Sequence, residues 1–148
     1  MNDFNIDYIK EFILSHPDSK VYLGVDSQRV RKKRVRFAVV VAVHYNNNNG
    51  AKIFHNITYE KITDAKLSRP FMRMMTEVNK VTELYTLLED VLIDRDFEIH
   101  LDISANEKHG SNVAHGYAKG VVWGTVGIEP TFKPNSWCAS TCADKYSK

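Results

Sequence analysis

Val21-Tyr22-Leu23-Gly24-Val25-Asp26 decides how the rest of the chain is read. Five uncharged residues run into an aspartate. An unbroken apolar strand is one covered on both faces, so it belongs inside a layered structure. An acid at its end is costly unless it is paired or holds a cation. Toward the C-terminus, Arg34 to Tyr45 is a second strand, centred on Phe37-Ala38-Val39-Val40-Val41-Ala42-Val43. Asn46-Asn47-Asn48-Asn49-Gly50 follows, and Asn-Gly tolerates positive φ, so a hairpin is expected there. Lys52 to Lys61 returns as the third strand, with Ile53, His55, Ile57 and Tyr59 on one face. Toward the N-terminus, Tyr8, Ile9, Phe12 and Ile13 recur at helical spacing between Asn5 and Ser15. His16-Pro17-Asp18-Ser19 ends that helix, which makes residues 1–18 a helical extension.

The second half alternates. Ser68 is the expected cap of a long helix, with Pro70 in its first turn. Met74, Val78, Val81, Leu84, Tyr85, Leu88 and Val91 form its apolar stripe, which runs to about Leu92. Asp94-Arg95-Asp96 breaks it. Phe97 to Ile103 has a period of two and reads as a fourth strand. A polar loop from Asn106 to Ser111 precedes a helix from about Asn112 to Thr125, stopped by Gly127. Gly116, Gly120 and Gly124 at spacing four would flatten that helix for close packing. Ile128 to Lys133 is expected as a short fifth strand. A final helix carries Trp137, Cys138, Cys142 and Tyr146. Three strands in a meander followed by helix-alternated strands predict an α/β fold with one mixed five-stranded sheet flanked by helices.

The 148 residues make one domain, 1–148. With 43% hydrophobic and 26% charged residues, the chain is neither disordered nor fibrous. Two cysteines are too few for a disulfide scaffold. The longest apolar run, Phe37 to Val43, is far short of the ~20 residues of a membrane helix. No basic stretch followed by an apolar one opens the chain, so a cytoplasmic protein is expected. A net charge of +2 means that any affinity for nucleic acid comes from where the charge sits.

Two acids occupy matching odd positions. Asp26 ends the first strand, and Asp102 stands near the end of the fourth. If those strands are neighbours, the two carboxylates lie side by side where ligands gather in open α/β sheets, and a divalent cation resolves their repulsion. The plainer alternative makes each a turn former or cap. Glu77 falls on or beside the core-facing stripe of the long helix, or else it pairs with Arg73 or Lys80 at the edge. Asp144 lies on the last helix, which can cross the sheet to the strand ends. Glu60 and Glu83 are weaker candidates. Arg29, Arg31, Lys32, Lys33, Arg34 and Arg36 put six bases in eight residues between the first two strands. They are positioned to grip phosphates beside the acids, or to solubilise a hairpin. Trp123 and Trp137 read as core rather than base-stacking residues. Cys138 and Cys142 share a helix face, and packing explains them better than zinc with His109 and His115.

Asp26, Glu77, Asp102 and Asp144, in that order on the first strand, a helix, the fourth strand and the last helix, resemble the acidic set of the ribonuclease H-like superfamily. Gly24-Val25-Asp26-Ser27-Gln28 and Lys133-Pro134-Asn135-Ser136-Trp137, with Ala139-Ser140 and Ala143-Asp144-Lys145, narrow this. They resemble the small YkuK-type RNase H-like family of bacteria and phages. The resemblance implies a nuclease with two Mg²⁺ or Mn²⁺ ions, for which an all-carboxylate donor set is suited. Asp26 would bridge both ions, Glu77 and Asp102 would hold one, and Asp144 the other. Water would be the nucleophile and a 3′-hydroxyl the leaving group. The mobile histidine loop of typical ribonuclease H has no match, since His109 and His115 follow the fourth strand. The expected partner is RNA, an RNA–DNA hybrid or structured DNA. A binding module without catalysis is the alternative, and a protein-interaction domain using the basic hairpin is a third.

Overall fold

A computed structural model of the chain describes residues 4–31, 33–45, 50–61, 70–103, 111–133 and 135–147. The elements are α1 (Ile6–Ser15), β1 (Lys20–Val30), β2 (Arg34–Tyr45), β3 (Gly50–Lys61), α2 (Pro70–Leu92), β4 (Phe97–Leu101) and α3 (Ser111–Val126). A π-helical stretch, Cys138–Ala143, then runs into α4 (Asp144–Ser147). Ser68, the Asn46–Asn49 turn, Lys32, His109 and most of the polar loop before α3 lie outside the described residues. No described helix is long and apolar enough to cross a membrane.

The sheet order is β3-β2-β1-β4. The first three strands form the antiparallel meander, and β4 joins β1 in parallel. Strand β1 is therefore central, and its alternate residues face two different layers. Val21, Leu23 and Val25 enter the main core with Ile9 and Ile13 of α1, Val78, Val81, Leu84 and Leu88 of α2, and Ala118 and Val122 of α3. Tyr22 enters a second, smaller core with Val40, Ala42, Cys138 and Ala143. Burying each large aliphatic side chain contributes roughly 1.5–3 kcal/mol, so the α1–α2–α3 side dominates stability. Asn5 caps α1, its side chain accepting from the Tyr8 amide at 3.2 Å. Arg95, in the break after α2, donates to the carbonyls of Ile13 at 3.1 Å and His16 at 2.7 Å. It thereby adds a second donor to two carbonyls at the end of α1 that already accept from the His16 and Ser19 amides, and ties the N-terminal helix to the core.

Among the described residues the sheet has four strands, not the expected five. Residues 128–133 contribute an isolated parallel bridge between Thr131 and His100. Thr131 donates to Ile99 at 2.7 Å and accepts from Leu101 at 3.0 Å. Lys133 continues the contact by donating to Ile103 at 3.2 Å, but β4 offers only five residues and ends at Leu101, so no ladder forms. The final helix is π-helical over six residues before it becomes α-helical. Gly127 stops α3 at φ 84°, as its position suggested. Gly116, Gly120 and Gly124 face open space rather than a packed neighbour. Trp123 is likewise exposed, whereas Trp137 packs on Tyr22 with ring centroids 4.6 Å apart.

Gly24 is where the two layers come closest. A Cβ on it would stand 2.7 Å from the carbonyl carbon and oxygen of Cys138. Gly24→Ala should force the π-helical stretch off β1 and cost about 1–3 kcal/mol, as overpacking does. A denaturant melt showing unchanged stability would mean that the two layers are not held at this contact.

Candidate nuclease-type site

The last pair of the β1–β4 ladder is Val25 with Leu101. One residue further, Asp26 and Asp102 come opposite each other. By strand alternation both belong to the face of Tyr22, Glu98 and His100, which the π-helical stretch and α4 cover. Asp26 is buried and Asp102 partly so. Asp102 Oδ1 lies 3.1 Å from Lys133 Nζ, an ion pair outside hydrogen-bonding geometry. Lys133 reaches it because its amide donates to Ile103 at 3.2 Å, which holds the segment along the end of β4.

Glu77 approaches from the other face. It occupies the N-terminal end of the α2 stripe that continues as Val81, Leu84 and Leu88, and that stripe is buried. Ser27, the β1 residue turned toward α2, donates from Oγ to Glu77 Oε2 at 2.5 Å. Oε1 of Glu77 is buried with no hydrogen-bond partner. Burial pushes the carboxyl up to about 8, opposed by the Ser27 bond and by Arg73, and helped by the charges of Asp26 and Asp102. The edge pairing with Lys80 does not occur, since Lys80 turns to Glu60 at 3.7 Å and Thr58 at 3.3 Å. Asp144 opens α4, on the helical segment that covers the Asp26–Asp102 face, and its side chain lies outside the described residues. Among the described residues, no three His, Cys, Asp or Glu groups converge closely enough to hold one ion.

The donor set nonetheless suits a hard cation. Asp26, Glu77 and Asp102 offer only carboxylate oxygens. One of those oxygens is buried without a hydrogen-bond partner, and another is held only by an exchangeable lysine. Ser27 and Lys133 are the neighbours that sequence reasoning did not assign. Ser27 could have been found by alternation, since it is the first β1 residue after Asp26 on the opposite face. Lys133 carries no such signal, because its contact depends on the Thr131 bridge.

The basic cluster divides in two. Arg31 and Lys33 are turn residues, Lys33 at φ 52°, and Arg29, Arg31 and Lys33 are exposed. Arg34 and Arg36 belong to β2 and lie over the Tyr59 ring, at 4.9 and 5.4 Å from its centroid. Below the acids, His100 is fully buried. Its Nδ1 accepts from the Cys138 amide at 3.1 Å, so Nε2 donates to Glu98, at 2.8 Å. Burial lowers its pKa and keeps the ring neutral. The bond places the start of the π-helical stretch against β4. Cys138 is buried in this packing, and Cys142 is brought down to about 7 by its bond with Cys138, against burial and with help from Lys145. His115 stacks on Phe132 at 4.0 Å, away from both cysteines.

The Glu77 environment has a measurable consequence. The folded protein keeps this proton up to about pH 8, whereas an ordinary carboxyl loses it near 4.5. In that interval the native state binds more protons than the unfolded chain, so stability falls as pH rises. In chelator, the thermal midpoint of the parent should decline relative to Glu77→Gln between about pH 4.5 and 8, with no further divergence above. Parallel curves for the two proteins would show that Glu77 ionises normally.

No curated protein and no solved structure matches the chain. A family match spans residues 5–148, nearly the whole length, and its description is Ribonuclease H-like. Asp26 does not end its strand as expected, since pairing with β2 carries β1 on to Val30; it stands where β4 stops, and Asp102 is the first residue past β4. The chain belongs to the ribonuclease H-like family.

Proposed function

We propose that the protein is a divalent-cation-dependent nuclease that hydrolyses phosphodiester bonds in RNA, an RNA–DNA hybrid or structured DNA. The observation that carries this reading is that Asp26 and Asp102 each stand one residue past Val25–Leu101, the last pair of two adjacent parallel strands, in a chain of this family. Asp26, Glu77, Asp102 and Asp144 would hold Mg²⁺ or Mn²⁺. Bound there, the cation would supply Lewis acidity toward a phosphate and acidify water. Asp26, buried between the two layers, would keep its carboxylate fixed. Glu77 would give up its proton as positive charge arrived, so cation uptake would release a proton near neutral pH. Lys133 would compete for Asp102, and its ammonium would be freed toward the phosphate backbone. The exposed bases of the β1–β2 turn, roughly 13 Å beyond Asp26 along the strand, would grip that backbone.

A second reading, a nucleic-acid-binding module without catalysis, is favoured by one specific feature. Asp102 is already neutralised by Lys133 and Glu77 sits across the sheet, so no three acids converge among the described residues. Cleavage assays separate the two. Labelled single- and double-stranded DNA, RNA, hybrid and four-way junction are incubated with Mg²⁺, Mn²⁺ or chelator. Cleavage should appear with the metals only. Asp26→Asn should lower the rate by about a hundredfold or more, the scale of losing one charge-stabilising group, while binding survives. Cleavage by Asp26→Asn at the parent rate would displace the site, and metal-independent binding without cleavage by the parent would favour the second reading.

The hairpin carries its own expectation. Replacing Arg31, Lys32, Lys33 and Arg34 with alanine should weaken binding across sequences. The log–log salt slope should fall by about 0.7–0.9 for each phosphate that the protein no longer neutralises. Titration at several salt concentrations measures this, and an unchanged slope would make the cluster a solubilising surface.

A further inference from the structure

The cover over the Asp26 face ends abruptly. Directly opposed residues on antiparallel strands share a face, so the register extends this face row by row beyond Asp26. Asp26 pairs with Ala38, and Ala38 with Ile57. The next row is Gln28, Arg36 and Tyr59, and the one after is Val30, Arg34 and Lys61. The terminal helix reaches along β3 as far as His55, on which Tyr146 stacks with centroids 3.8 Å apart. Two rows further on, Tyr59 is 47% exposed, an unusual state for an aromatic ring on a strand face. Its hydroxyl is fixed by Arg36 Nε at 3.1 Å, and Arg34 lies 4.9 Å from the ring centroid. Arg34 Nε is buried and makes no hydrogen bond. These two rows contain no acidic residue. The nearest acid on this face is Asp26 itself, one row back, and Glu60, beside Tyr59 in β3, faces the opposite side with Lys80.

We infer that Tyr59, with Arg34 and Arg36, is a stacking subsite for an unpaired base of a single-stranded nucleic acid running toward Asp26. The inference rests on the nucleic-acid reading above and narrows it from duplex or hybrid to a strand with at least one unpaired nucleotide. A ring held by its hydroxyl has lost most of its rotational freedom before any base arrives, so ordering costs little. A guanidinium beside it adds cation–π attraction for the base and a charge for the neighbouring phosphate. Two residues along β1 and two strands across place Tyr59 roughly 12 Å from Asp26. A stacked nucleotide there would set which phosphate reaches the acids. The base would be held by its face, so the subsite would be tolerant of sequence and indifferent to the 2′-hydroxyl.

Binding in chelator tests this without relying on cleavage. The probes are fluorescent single-stranded DNA and RNA oligonucleotides, the same DNA strand with abasic sites, and a blunt DNA duplex. Tyr59→Ala should weaken both single strands about tenfold and leave the abasic strand and the duplex unchanged. Tyr59→Phe should bind the intact single strands more tightly than Tyr59→Ala, since the ring remains, and more weakly than the parent, since Arg36 no longer fixes it. Circular dichroism should show both variants folded, because the side chain is largely outside the core. Equal affinity of parent and Tyr59→Ala for the intact strands would overturn the inference. So would an equal loss on all four probes, which would make the tyrosine a support for the arginines only. Failure of the cleavage reading looks different: the binding pattern persists while Mg²⁺ yields no product. A parent that binds no probe overturns both.

Discussion

Gly24 lets the backbone of Cys138 lie against the middle of strand β1, closer than any side chain would permit. That contact closes the second layer over the sheet, and it makes β1 a strand buried on both sides. Once both sides are covered, the period of two in the strand becomes a sorting device. Even-numbered residues of β1 meet the terminal helices, and odd-numbered ones meet α2. The candidate site inherits this division. Asp26 falls to the terminal-helix side with Asp102. Ser27 falls to the α2 side and takes Glu77 with it.

The electrostatics follow from the same sandwich. A carboxyl on the buried stripe of α2 has lost its water and retains only one hydrogen bond, from Ser27. Its proton is therefore held well above the usual carboxylate range. Asp102 stands at the open end of β4 and finds Lys133. The result is a set of acids kept apart by protonation, by a lysine and by the sheet itself. It is a low-repulsion arrangement in the absence of positive charge.

The basic hairpin shows how one run of charge serves two surfaces. Its six bases are contiguous in sequence, but the strand period and the turn separate them. Arg29, Arg31 and Lys33 stand in solvent, whereas Arg34 and Arg36 are folded onto Tyr59. The first group is suited to diffuse attraction of phosphates and the second to a fixed contact.

Much of the fold was legible in the residues. The apolar runs of β1 and β2, the Asp94–Asp96 break and the Gly127 stop are local signals, and they placed the elements to within a few residues. Asp26 within β1 and Asp102 just past β4 were visible because a charge in a covered strand has a physical cost, although β1 runs on to Val30 rather than ending at Asp26. The fifth strand was not legible. Its composition suits a strand, but the shortness of β4 leaves only the Thr131 bridge. The exposure of Trp123 and of the α3 glycines was missed as well, because helical spacing identifies a face without saying what covers it. Which residues alternate, where charge interrupts apolar runs and where the chain turns are all written in the order of the amino acids, since these are properties of neighbours along the backbone. That Ser27 would hold Glu77, that Lys133 would pair with Asp102 and that Tyr59 would stand half exposed under Arg34 and Arg36 came from folding alone. Each depends on strand register and layer packing, which join residues far apart in the chain and leave no local pattern to read.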